Sequence, residues 1–527
     1  MKAEGEKLSD EERRRVAESV SGRLLGTGTN GDAAAMPNTC SSQPPMRDPA
    51  EGSAWNGWGA GIVNTRFQTA KAAGLAADQV PNLRLKWAFG FPNGISAYSQ
   101  PTIVSGRVFA GSDAGYVYSL DAATGCVYWS FKTKAGVRNA ISIGRVKPAS
   151  ASYAAYFGDV KGNVYGVDAT TGALLWTSRP EAHFTARITG APTLHDGRLY
   201  VPVSSWEEFS ARTLDYPCCT FRGSVAALDA ATGRQIWKTY VIPEEPIPVR
   251  RNSKGVQLWA PAGASVWNSP TVDVRRRAIY FGTGDAETAP APKTSDAVMA
   301  LDIDTGKVRW VYQAYENDSF LVGCVGANRT DNCPVVQGPD LDIPGSPILA
   351  ALSNRRQILV VGSKTGEVFA LDPDRNGALV WKVNISDRPR SGIFWGGAVD
   401  DQHAYFGLSG GGVTAIRLVD GARRWSVPLG TTGAPISHAA AASAMPGVVF
   451  VAGSDGKLHG LSTVDGRELW GFETARDFPT VNNVAARGGS IRAPGVTIAG
   501  GMVFVASGYG VFPNDRPGNA LLAFSPR

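Results

Sequence analysis

Residues 117–129 read VYSLDAATGCVYW, and this stretch decides the fold. Alternating apolar residues ahead of Asp121 suit a half-buried strand, the D-A-A-T-G run supplies a tight turn, and a second strand ends at Trp129. The same strand–turn–strand recurs as VYGVDATTGALLW (164–176), VAALDAATGRQIW (225–237), VMALDIDTGKVRW (298–310) and VFALDPDRNGALVW (368–381). Two weaker copies follow, VTAIRLVDGARRW (413–425) and LHGLSTVDGRELW (458–470). Copies lie about 45 to 75 residues apart, which leaves room for four strands each and indicates propeller blades. A Trp at one fixed offset in all seven is placed to pack between neighbouring blades.

The two ends complete the count. NLRLKWAFGF (82–91) carries Trp87 with no turn strand ahead of it, and GNALLAFSPR (518–527) ends the chain with no Trp after it. Joined, they make an eighth copy shared by both termini, which closes the ring and removes open sheet edges. The expected fold is therefore all-β, an eight-bladed β-propeller over residues 51–527. Residues 1–50 stand outside it. LSDEERRRVAESVSGRLLG (8–26) opens on a Ser/Asp cap and is spaced for one amphipathic helix, and the stretch to Met46 reads as linker.

Composition agrees: 62 Gly and 33 Pro with 43% hydrophobic residues mean many strands and turns, not disorder. A net charge of +6 without a long Lys/Arg tract argues against nucleic-acid binding. No apolar stretch reaches the roughly 18 residues of a membrane span, and the N-terminus lacks a secretion-signal layout. Those two features alone would place the chain in the cytosol. The cysteines point instead to an oxidising compartment, the periplasm. Cys218 and Cys219 are adjacent, and Cys324 and Cys333 bracket a short loop; both placements suit disulfides, with thiols that never pair as the alternative. The five His are scattered without metal-binding spacing, and no nucleophile elbow, phosphate loop or dinucleotide fingerprint occurs.

The D-x-x-T-G-x-x-x-W blades, together with SSWEE (204–208), YPCCTFRGSVAALDAATG (216–233) and GCVGANRTDNCPVVQGPDLD (323–342), resemble the quinoprotein alcohol dehydrogenases, enzymes that use pyrroloquinoline quinone (PQQ). The resemblance runs from about Trp55 to the C-terminus. It implies base-assisted oxidation of an alcohol, bulky and polymeric secondary alcohols included, with PQQ and calcium. It also makes the first helix similar to the end of a cytochrome c domain. Since no C-x-x-C-H occurs, covalent haem has no attachment motif here, and a separate c-type cytochrome is the expected electron acceptor.

The resemblance also implies site residues. Cys218–Cys219 would form a disulfide ring lying flat against PQQ, and Trp267 would cover the other face. Arg138 and Thr189 would bind its carboxylates, Lys364 its quinone oxygens, and Trp395 would line the substrate mouth. Asp285, in GTGD, takes the metal-ligand position, with a second ligand from Glu207 or Glu208. Neighbouring side chains on a strand face opposite ways, so one of the two is expected at the metal, and the distance from Ser204 favours Glu207. Such oxygen ligands suit calcium. Asp318, in YENDSFLVGC, is the expected general base and is placed with the metal ligands. It is the first of two positions that carry Asp in methanol-oxidising relatives, and the second here is Leu321. Lanthanide-using relatives carry an extra Asp two residues beyond the base; counted from Asp318, that position is Phe320. The competing expectation is a non-catalytic scaffold built from the same repeats.

Overall fold

The structure, a computed structural model, describes residues 9, 11–13, 31–146, 152–326, 329–388, 391–430, 436–512 and 514–526. Eight antiparallel sheets follow one another along the chain as blades, as expected, seven of them four-stranded and the third five-stranded. The first comprises Thr102–Val104, Arg107–Ser112, Tyr116–Asp121 and Val127–Lys132. The eighth takes Thr497–Ala499, Met502–Ser507 and Ala520–Pro526 from the C-terminus and Leu83–Gly90 from the N-terminal side. Closure thus places Trp87 opposite Ala523 in one sheet.

The repeat is explained by what each of its residues does. Asp121 accepts hydrogen bonds from both the backbone N–H and the hydroxyl of Thr124, which fixes the turn, and Asp168 holds Thr171 in the same way. The following glycine adopts a left-handed conformation, with φ 79° at Gly172. A Cβ there would stand 2.8 Å from the Trp129 ring of the preceding blade, so the glycine is also the floor on which that indole rests. The indole N–H then donates across the blade boundary: Trp87 to Ala122 O, Trp129 to Ala169 O, Trp176 to Ala230 O and Trp470 to Leu83 O, at 2.9–3.1 Å. D, T, G and W therefore act as one inter-blade joint, although the indole N–H of Trp237 is buried without a partner and there the ring keeps only its packing on Gly306.

Residues 55–68 form a strap across the inner strands. Trp55 pairs with Ile103 of blade one, and Asn56 exchanges two hydrogen bonds with Ile143 of blade two. Ile62, Val63 and Thr65 accept from Val272, Leu349 and Val399 of blades four to six. Arg66 and Gln68 bond to Ala444 of blade seven, and Gln68 Nε2 reaches Ile498 O of blade eight at 2.7 Å. Arg66 is buried, and its guanidinium donates to Ala442 O, Trp58 O, Gln100 Oε1 and Ser443 Oγ at 2.7–2.8 Å.

The helix expected over 8–26 falls outside the described residues except at 9 and 11–13, where Ser9 and Glu12 cap one another. From residue 31 the stretch expected as linker runs along blade one. There Cys40 N donates to Val127 O and Cys40 is disulfide-bonded to Cys126, a pairing the sequence reading did not foresee. Cys218–Cys219 and Cys324–Cys333 are bonded as well, so no cysteine is free.

Blade seven carries a pH-sensitive pair. His438 and His459 are buried with ring centroids 5.5 Å apart. Burial, then the neighbouring His459, depresses His438 from 6.5 to about 4. At pH 7 both folded and unfolded chains hold this ring neutral, so it costs nothing. As the pH falls below 6.5 the unfolded chain takes up a proton that the fold refuses, and the loss, roughly 3 kcal/mol, is complete below pH 4. Denaturation of His438→Gln at pH 7.5 and pH 4.5 should show a clearly smaller acid loss than the parent; equal losses would exclude this ring as the cause.

Candidate functional site

The strap closes one end of the central channel. A small cavity of about 360 Å³ is lined by Trp58 of the strap and by Arg138, Thr189, Trp267 and Trp395. The last four also line a larger cavity of about 1050 Å³, counting its open mouth. Trp267 and Trp395 meet edge-to-face, 5.0 Å between centroids, and Arg138 lies 4.8 Å over Trp395.

Acidic side chains converge on this cavity. Glu208, Asp285, Asp340 and Asp342 line it together with Lys364. One carboxylate oxygen from each of Asp285, Asp340 and Asp342 lies within 4.8 Å of the others. Lys364 Nζ is ion-paired to Asp340 and, at 2.8 Å, to Asp342, and it stands 5.5 Å over Trp267. Burial, followed by the charges of Asp342 and Asp340, raises Asp285 well above the usual carboxylate range. Burial pushes Glu208 up to about 7 against the pull of Lys364. Burial alone would release the Lys364 proton, but Asp342, Asp340 and Asp285 overcome it and hold the ammonium. Four carboxylates facing one ammonium at close range want a cation.

A cationic group adjoins them. Arg138 Nη2 donates to Tyr509 Oη at 2.6 Å, and Arg187 stacks 4.2 Å over Trp206. Burial and then the charge of Arg138 lower Arg187 to about 10. Nε of both arginines is buried and has no hydrogen-bond partner. Two half-buried guanidiniums, each with a buried and unused Nε donor, are half of an anion site.

The structure brings Arg138, Thr189, Glu208, Trp267, Asp285, Lys364 and Trp395 to one cavity. Four expected residues behave differently. Glu207, favoured over Glu208, turns away: its carboxylate accepts from the N–H groups of Thr220 and Phe221 and from Tyr216 Oη. The alternation argument fails because the strand stops at Ser205, and Glu207–Ser210 form a helical turn on which neighbours do not oppose one another. Asp318 is buried outside the cavity wall. Its Oδ2 accepts from Leu341 N at 2.7 Å, and a Cβ on Gly338 would lie 1.8 Å from Oδ1, so the carboxylate is a peg on which loop 338–342 is hung. Cys218 and Cys219 are likewise absent from the described wall: a carboxylate oxygen of Glu287, which does line the cavity, lies within 4.8 Å of the Cys219 sulfur.

Asp340, Asp342 and Arg187 were missed. The first two stand in the GPDLD run, legible only as a quoted segment, and Arg187 lies two residues before Thr189.

Eight blades around a closed channel, with an indole, paired arginines and a carboxylate–lysine cluster at its open end, define a propeller built to hold a flat, acidic, metal-associated ligand. Residues 55–322 match a family model described as PQQ, glucose/ethanol/alcohol dehydrogenase, beta-propeller domain. Residues 340–523 match one described as outer membrane protein assembly factor BamB. The chain is 40% identical over 511 residues to a polyvinylalcohol dehydrogenase of a Pseudomonas species, covering 92% of this chain and 79% of the relative. It is 36% identical to the polyvinylalcohol dehydrogenase of Sphingopyxis sp. strain 113P3, covering 95% and 81%. In fold it is similar to the quinohemoprotein alcohol dehydrogenase ADHIIG of Pseudomonas putida HK5, with TM-score 0.68 at 16% identity over 92% of this chain and 83% of that one. The chain belongs to the PQQ-dependent quinoprotein alcohol dehydrogenase family and is an oxidoreductase acting on alcohols.

Proposed function

We propose that this protein oxidises secondary hydroxyls on an aliphatic chain, polyvinyl alcohol or a related polymer, using PQQ and a hard cation, in the periplasm. The observation that carries the reading is the pairing, in one cavity, of arginines with unused buried donors and a carboxylate cluster held by Lys364. The repeats alone would serve a scaffold, but a scaffold has no use for buried charge of this cost. The two polyvinylalcohol dehydrogenase relatives support the polymer. So does the mouth, where Trp206, Phe209, Val322, Val511 and Phe512 offer apolar surface to methylene groups. Three disulfides suit the oxidising compartment.

In this reading Arg138, Arg187 and Thr189 take the cofactor's carboxylates, and Trp267 gives its ring a flat face. The Cys218–Cys219 ring backs the site from behind Glu287. Glu208 and Asp285 hold the cation with help from Asp342. Once bound, PQQ supplies a two-electron acceptor and the cation a Lewis acid. The alcohol proton would go to Asp340, which lines the cavity and whose carboxyl burial raises above the usual range against the pull of Lys364, as suits a proton acceptor. Asp318, the base expected from sequence, becomes the residue that positions Asp340. Electrons pass on to a c-type cytochrome.

The ion follows from the same reassignment. Calcium suits oxygen ligands, but the cavity carries five acidic side chains, Glu208, Asp285, Glu287, Asp340 and Asp342, against two basic ones, Lys364 and Arg138, an excess that a bound cation of high charge would draw into the ionised form. The aspartate two residues past the base, missing when counted from Asp318, is present when counted from Asp340: it is Asp342. A trivalent lanthanide therefore matches the site better than calcium. Terbium luminescence sensitised by Trp267 should appear on titration of the metal-free protein, resist a hundredfold excess of calcium, and fall at least tenfold in Asp342→Ala. Calcium displacing terbium at equal concentration would restore the divalent assignment. For the activity itself, dye reduction should require PQQ, metal and a secondary alcohol together; no turnover with all three across a panel that includes polyvinyl alcohol would overturn the reading.

A further inference from the structure

Exposed large apolar side chains are scattered singly over most of the described surface, on the outer strands and turns of separate blades, for example Val308, Leu379, Val419 and Val464. One region differs. Val335 and Val336 are 90% and 78% exposed, and Ile247 and Val249 on the neighbouring hairpin are 62% and 53% exposed. The hairpin is tied to this segment by Arg250, whose guanidinium donates to Cys333 O. Between them lies a side cavity of about 470 Å³ lined by Val249, Trp259, Val335, Cys218 and Glu287. Glu287 also lines the main cavity, so a single side chain is common to both. The Trp259 backbone is paired with that of the two cysteines, its amide N–H donating to Cys218 O at 2.8 Å. The patch therefore borders a side cavity that shares the Glu287 side chain with the main one.

Its charge leans basic. Arg250, Arg251 and Arg329 are exposed around the valines with Asp331 among them, Lys254–Asp215 and Arg222–Glu245 neutralise one another, and Glu244 is exposed at the start of the hairpin. A small apolar centre with a basic rim is the make-up of a transient interface: the apolar centre excludes water, and the rim steers an acidic partner.

We infer that this patch, centred on Val335 and Val336, is the docking surface for the one-electron acceptor, a haem protein whose exposed apolar cofactor edge is ringed by carboxylates. The inference rests on the proposed function. Oxidising one secondary alcohol to its ketone releases two electrons and two protons; two acceptor molecules are each reduced by one electron, and the protons pass to solvent. Docking on the patch leaves the mouth free for a polymer during electron transfer.

The test compares acceptors on the holoenzyme. A small dye enters by the mouth and needs no docking surface. In Val335→Asp/Val336→Asp, dye-coupled turnover should stay at the parental value, while reduction of an acidic bacterial cytochrome c should fall at least tenfold. Arg250→Glu/Arg251→Glu should weaken the same reaction and flatten its dependence on salt. A basic mitochondrial cytochrome c should be reduced slowly by the parent. Unchanged reduction of the acidic cytochrome in both variants would overturn the assignment. So would a monomer–dimer equilibrium, seen in sedimentation, that the valine variant abolishes without slowing the cytochrome. Absence of dye reduction in the parent is a separate result, since it removes the proposed oxidation itself.

Discussion

Asp340→Asn is expected to lower kcat by about 10³-fold, within the usual range for loss of a general base, while leaving PQQ binding close to normal. The asparagine keeps the shape of the side chain and its hydrogen bond to Lys364, so quenching of Trp267 fluorescence by PQQ should saturate at nearly the parental concentration. Asp318→Asn is the discriminating partner. Its amide oxygen can still accept the Leu341 N–H, so the loop should hold and kcat should fall by about tenfold or less; Asp318→Ala, which removes the peg under Gly338 and Leu341, should cost more. If Asp318→Asn abolished turnover and Asp340→Asn did not, the proton would be going to Asp318 after all. The side chain's burial and its two backbone donors would then have misled us.

The second large effect concerns stability. Arg66→Met should destabilise the fold by about 4 kcal/mol, because it leaves four buried acceptors without their donor at roughly 1–3 kcal/mol each, offset in part by the burial cost of the charge. Arg66 has no carboxylate partner; it is held by Ala442 O, Trp58 O, Gln100 Oε1 and Ser443 Oγ, with its guanidinium carbon 4.7 Å over the Trp58 ring. Burial lowers it to about 9, so it is still charged at neutral pH. Since the strap bonds to first strands around the ring, its loss should be felt as global unfolding, with a lower urea midpoint at unchanged slope. Arg66→Lys, with three donors and no fork, should fall between the two. A loss below 1 kcal/mol for the methionine variant would mean that the strap contributes little and the inter-blade tryptophans close the ring unaided.

What could be read directly from the chain was whatever depends on residues near one another in sequence. The D-x-x-T-G-x-x-x-W joint is such a case: Asp121 reaches Thr124 three residues on, Gly125 must turn left-handed at φ 74°, and the tryptophan follows at a fixed distance. Repetition of that local requirement determined the blade type, the blade count and the closure by Leu83–Gly90 against Ala520–Pro526. The adjacent cysteines, Trp267 and Asp285 were legible for a related reason, as each belongs to a short run with its own character.

Which acids face the cavity was decided only by the folded molecule. Glu207 and Glu208 are chemically the same and adjacent, and the choice between them is made by Thr220, Phe221 and Tyr216, which capture Glu207 from a segment that packs on it. Asp318 was the only base the chain suggested, and Asp340 came into view only when loop 338–342 was seen to wrap the first carboxylate with its backbone and turn the second toward Lys364. Arg138 and Arg187 come from separate segments, and the buried, unpartnered Nε that each carries is seen only in the folded molecule. The physical reason is one of range. Turn and strand geometry acts over a few residues and leaves a periodic trace, whereas a carboxylate's orientation depends on the donors nearest to it in space, and these come from anywhere in the chain.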